Sequence, residues 1–136
     1  MMQKIAKYGT AVILAHAVVV ALHSAAHVKL QIDAGLLGTA FIAAVIILAP
    51  ILAMFHLWTR YVRIGVLILL GSMAGALAFG VYNHFLIPGP DHILHIPPGP
   101  WQRLFQTTAI FLIITEGIGC WIGVWATKSF RQTSSA

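Results

Sequence analysis

Three histidines, His16, His23 and His27, recur at intervals of seven and four residues inside an otherwise apolar stretch. At a helical advance of about 100° per residue they fall within a wedge of roughly 40° on one face. Ionisable side chains in a membrane-spanning helix are costly and face a partner, a cavity or a bound ion. A second polar group lies further along the chain. Asn83 and His84 precede the run Ile87-Pro-Gly-Pro-Asp-His-Ile-Leu-His-Ile-Pro-Pro-Gly-Pro100, which holds Asp91, His92 and His95 between proline and glycine borders. Proline fixes φ and restricts the unfolded chain, so such a loop loses less entropy on ordering. Its isoleucines and leucine would let it lie back on a bundle and hold its imidazoles over the mouth.

Neutral imidazoles are ligands for zinc, copper, nickel and iron. His23 and His27, at i and i+4, present two nitrogens on one helical face, and His84, His92 or His95 would supply the third and fourth. Asp91 is expected either as a ligand or as the acceptor that orients an imidazole N–H. The chain has a single cysteine, Cys120, which excludes an intrachain disulfide and any CxxC motif and is expected simply to pack. Methionine is sparse near the histidines, which disfavours a thioether Cu(I) site. Copper or zinc is therefore the leading expectation, with iron next, for metal handling or redox work.

Two alternatives accompany that reading. A b-type haem, or another tetrapyrrole, would use His23 and His84 as axial ligands, with His16 a further candidate and Arg103 placed to receive a propionate. A cofactor-free chain, acting as an accessory subunit of a larger membrane complex or as a homo-oligomer, would use its histidines for interhelical hydrogen bonds. No GxSxG elbow, Walker loop, dinucleotide fingerprint or HExxH motif occurs, so any catalysis would have to be metal- or haem-borne.

The elements that must position these residues follow from composition. Of 136 residues 60% are hydrophobic and 8% charged, with a mean hydropathy of +0.91, which excludes an ordinary soluble domain. Four apolar stretches, about 8–28, 36–58, 64–86 and 101–126, are each close to the roughly 20 residues that cross a bilayer as helix. The expected fold is a single all-α domain, an antiparallel bundle of four transmembrane helices with short connections and an external histidine-rich loop at 87–100. The N-terminal stretch is read as a retained span, since it is long for a signal peptide.

Lys4, Lys7, Arg60, Arg63, Lys128 and Arg131 mark one side of the membrane and only Lys29 and Arg103 the other. The positive-inside rule then puts both termini in the cytoplasm of a prokaryotic inner or plasma membrane. The net charge of +5 reads as topology, and because the cations form no stripe a nucleic-acid partner has no support.

Within the spans, Glu116 lies at a depth similar to His16, so the two form a candidate packing pair or proton relay. Glu116, Cys120, Gly123 and Thr127 make a small polar stripe expected to face inward. Gly71 and Gly75 form a GxxxG pair that would permit close helix approach. Pro50 should kink the second span, and His56 beside Trp58 reads as an interfacial anchor.

Overall fold

The computed structural model describes residues 1–134. These are helical apart from short connections, and four helices are long and apolar enough to cross a membrane. They are α1 (Met2–Leu30), α2 (Gly35–Leu57), α3 (Val62–Leu86) and α4 (Pro100–Ser134). Each is built from long runs of leucine, isoleucine, valine and alanine. In hydrocarbon the helix alone satisfies every backbone donor and acceptor within one segment.

The helix ends follow local chemistry. Gln31 stops α1 in the left-handed region, at φ 55°, while the N–H of Ile32 reaches back to the His27 carbonyl. Asp33 then accepts the Gly35 N–H at 2.8 Å and starts α2. Within α2 the seven residues Ile42–Leu48 are π-helical, immediately ahead of Pro50. Proline supplies no N–H and crowds the carbonyl four residues back, and a widened turn relieves that crowding. A shorter π-helical segment, Tyr82–Leu86, ends α3 and carries His84.

Packing sorts the bundle into two unequal regions. One core, formed by Ile5, Val12, Ile13, Leu57, Val66, Leu69, Met73 and Ile122, joins all four helices toward the chain termini. Here α2 and α3 cross closely, because Gly65 lies against the backbone of α2; a Cβ there would stand 2.8 Å from the Leu57 nitrogen. The expected GxxxG pair behaves differently. Gly71 has nothing within 4 Å of its would-be Cβ, and Gly75 faces only the Val45 and Phe41 side chains. The close approach therefore falls at a glycine outside the motif.

The second core is small: Ala26, Ile96 and Phe105, with Leu30, Ile32 and Leu104 against it. Ile96 comes from the loop 87–99, which lies back on the bundle as its apolar residues imply. Ile93 donates its N–H to the His84 carbonyl at 2.9 Å, and the amides of Gln106 and Gln102 hold the Ile93 and Ile96 carbonyls. The loop is thus fixed by hydrogen bonds at three points, over the side chains of His23, His27 and His84.

Candidate metal centre

The site starts with α1. Its seven-plus-four spacing places His16 and His23 in the interior and His27 at the edge, with His16 1% and His23 6% exposed. From α3, His84 enters the same space and is also buried. The three nitrogen ligands of His23, His27 and His84 lie within 4.8 Å of one another. More closely, His23 Nε2 is 3.2 Å from His84 Nε2 and 3.1 Å from His27 Nε2. Two nitrogens bound tetrahedrally at a metal–nitrogen length of about 2.0–2.1 Å stand about 3.3 Å apart. His23 Nε2 is therefore at ligand spacing from each of the other two imidazoles.

Their hydrogen-bond partners decide which nitrogens carry protons. His23 Nδ1 is 2.8 Å from Thr108 Oγ1 on α4. That hydroxyl uses its one proton on the carbonyls of its own helix, Leu104 at 2.6 Å and Phe105 at 3.1 Å, as threonine in a helix commonly does. With its proton placed there the oxygen accepts from His23 Nδ1, the tautomer that leaves a lone pair on His23 Nε2. His84 Nδ1 faces the backbone carbonyl of Asp91 at 3.1 Å, again a pure acceptor. In the neutral ring His84 Nε2 is then also a lone pair. Two neutral imidazoles would thus turn lone pairs on each other across 3.2 Å of buried space, an arrangement relieved by a metal ion or a shared proton between them.

Asp91 completes the edge. Its Oδ1 stands 3.2 Å from both His27 Nε2 and His84 Nδ1, yet takes no well-aligned hydrogen bond from either. Burial acts to raise the pKa of this carboxyl, but the contacts with His27 and His84 outweigh it and hold the group well below the usual carboxylate range. An ionised oxygen with a spare lone pair therefore borders the three imidazoles. Phe105 underlies them, its ring centroid 4.7, 5.2 and 5.3 Å from those of His23, His27 and His84. This apolar floor keeps water from below and fixes the ring positions.

The loop histidines do not join the cluster. His92 spends both nitrogens on nearby backbone, donating from Nε2 to the Phe85 carbonyl at the end of α3 at 3.3 Å and accepting the Leu94 N–H at Nδ1. His95 donates to the Gly89 carbonyl at 3.2 Å and packs against the His92 ring. The tight turn demanded by the proline and glycine borders aims His95 at a loop carbonyl and His92 at the last turn of α3, so they shape the lid. Arg103 is exposed on α4. His56 donates to the Leu52 carbonyl, one turn back in its own helix. Among the described residues, His23, His27 and His84 form the one cluster of this kind.

Deeper in the bundle, His16 Nε2 meets Glu116 Oε1 at 3.2 Å, with both side chains almost fully enclosed. The other carboxylate oxygen, Oε2, has no hydrogen-bond partner. A cavity of about 320 Å³ connects this glutamate with the histidine cluster. The chain has three acidic residues, and all three, Asp33, Asp91 and Glu116, line that one cavity. Against a net charge of +5, all three acidic side chains border one cavity whose walls are otherwise mostly apolar.

No family model, curated protein or solved structure matches the chain. The functional reading stands on the site's own chemistry. Sequence reasoning missed Thr108, Phe105 and the two glutamines that dock the loop. The available signal was a polar residue two helical turns before Glu116 in an apolar run, and nothing in the sequence tied it to His23.

Proposed function

We propose that the protein is a membrane metal-binding protein holding copper or zinc, with iron the next candidate, at His23, His27 and His84, with Asp91 as fourth ligand or as the base that orients them. One observation carries this reading: with the Thr108 hydroxyl and the Asp91 carbonyl as acceptors behind the rings, two neutral buried imidazoles turn their Nε2 lone pairs face to face at 3.2 Å. A metal ion replaces that repulsion by two bonds. The acceptors behind the rings are the kind that raise ligand basicity and fix ring orientation at metal sites. The absence of thiolate or thioether among the cluster residues favours metals of intermediate softness.

The spacing also favours a bare ion over haem. Two imidazoles on opposite faces of one iron stand about 4 Å apart, twice a metal–nitrogen length of about 2.0 Å, with the macrocycle between them. At 3.2 Å, with Phe105 pressed against both rings, His23 and His84 leave no such slot. His16, the other axial candidate, is committed to Glu116.

The topology that serves this function is an antiparallel bundle with both termini cytoplasmic, supported by the lysine and arginine distribution at the helix ends. It puts the cluster and its loop at the external end, where a metal would be received from outside the cell for handling or redox work. The test is elemental analysis together with a visible spectrum on protein purified without a histidine tag. One copper or zinc per chain, lost in the His23→Ala/His27→Ala double variant with the fold intact, is expected. Retained stoichiometric metal in that variant, or a Soret band with matching iron, refutes the site.

A further inference from the structure

The cavity below the histidines is larger than an ion needs. Its volume of about 320 Å³ falls at the lower end of small-molecule sites, about 300–1,000 Å³. Val20, Ile42, Ile46, Phe79 and Leu112 give it apolar walls, with Glu116 at one end and the histidine cluster at the other. Glu116 is 2% exposed, and its Oε2 is buried without a partner. A buried acceptor in that state is costly to the fold and is satisfied when a donor arrives. Gly80 keeps the space beside it open: a Cβ there would stand 4.0 Å from Glu116 Oε2 and 3.9 Å from His84 Cδ2.

A second cavity adjoins the first on the side of the α1–α2 cleft. Helix α2 packs on α1 mainly through Ala49–Leu57, and its π-helical half leans instead on α3. The second cavity, of about 250 Å³, lies in the resulting cleft between α1 and α2, sharing Val20, Ser24 and Ile46 with the first and bordered by His16. Its outer edge is formed by Ile47 and Ile51, which are 45% and 50% exposed on the flank of α2. These apolar walls suit a lipid-soluble molecule.

We propose that the cavity binds a lipid-soluble phenol or quinol. One hydroxyl donates to Glu116 Oε2, the ring lies among the apolar walls, and an oxygen at the far side of the ring meets the histidine end. Polar groups at both ends of an apolar chamber match a ring with oxygens on opposite sides; a simple fatty alcohol satisfies one end only. The contact at the histidine end rests on the metal reading above, whereas the contact at Glu116 does not.

The two are separated by measuring equilibrium binding of decylhydroquinone, and of its oxidised counterpart decylbenzoquinone, to the full chain in phosphatidylcholine nanodiscs, metal-free and zinc-loaded. Saturable binding near one hydroquinone per chain is expected. The quinone, which has no hydroxyl to donate, should bind at least tenfold more weakly. Glu116→Leu should weaken hydroquinone binding at least tenfold without changing bound zinc. Gly80→Val, which fills the gap from the opposite helix, should do the same to the hydroquinone, while Gly80→Ala retains it. Absent saturable binding, equal affinity for quinone and hydroquinone, or undiminished binding in both Glu116→Leu and Gly80→Val overturns the proposal. Glu116-dependent binding by a chain that takes no zinc would sustain it and sink the metal reading instead.

Discussion

Replacing Thr108 by valine tests the central argument, because it removes the acceptor that fixes His23 and little else. The side chains are close in size, and the Leu104 and Phe105 carbonyls that lose the hydroxyl belong to helix α4. His23 then has two choices. It can keep its proton on Nδ1 as a buried unpaired donor, at about 1–3 kcal/mol, or move the proton to Nε2 and donate it to His84 Nε2, 3.2 Å away. The second removes the lone-pair repulsion and is the cheaper. The metal-free variant should therefore be as stable as the parent or more so, while its metal affinity falls. Loss of an orienting partner at a metal-bound histidine costs about 10–100-fold, or about 1.4–2.8 kcal/mol. Competition titration with a zinc chelator measures the affinity, and long-range nitrogen–proton correlation spectra of the imidazoles read the tautomer directly. His23 should carry its proton on Nδ1 in the parent and on Nε2 in Thr108→Val. An Nε2-protonated His23 in the metal-free parent, or unchanged zinc affinity in the variant, would refute the reasoning.

Other outcomes follow from the same geometry. His84→Ala should abolish stoichiometric metal binding, whereas His92→Ala should leave one metal per chain by elemental analysis, since the His92 nitrogens serve the loop. Gly65→Ala should destabilise the bundle by about 1–3 kcal/mol through overpacking against the α2 backbone, and Gly71→Ala should be neutral; thermal unfolding in detergent compares them. Asp91 has a folded pKa below its usual 3.8, so its contribution is fully present above that value and is lost as the pH falls below it toward the folded pKa. In metal-free protein, acid-protease cleavage of the loop 87–99 should accordingly rise below about pH 4, a rise that Asp91→Asn abolishes.

The histidine face of α1 was legible because helical periodicity is a local property: residues seven and four apart share a side whatever surrounds them. The existence of four spans was legible for a similar reason, since the length and polarity of a segment decide whether it can cross lipid. His84 could be placed near His23 and His27 from depth alone. The same argument misplaced His92 and His95, because depth says which residues share a level and not where a side chain points. Inside so tight a turn, the nearest acceptors for those rings are backbone carbonyls close in sequence, Gly89 in the loop for His95 and Phe85 at the end of α3 for His92. The close helix crossing escaped the GxxxG pattern because what matters is which glycine faces a neighbouring backbone, and that depends on the rotation of α3 against α2.

What the sequence determined by itself, then, is four helices long and apolar enough to cross a membrane, with imidazoles concentrated at two of them and in a proline-bordered loop. Tertiary structure alone decided that three of those imidazoles meet, that Thr108 and the Asp91 carbonyl stand behind two of them, and that all three acidic side chains line one cavity. The physical reason is range. Hydropathy and periodicity act along a single helix, whereas a lone pair acquires its meaning from a partner 61 or 85 residues away, brought within about 3 Å only when four helices pack.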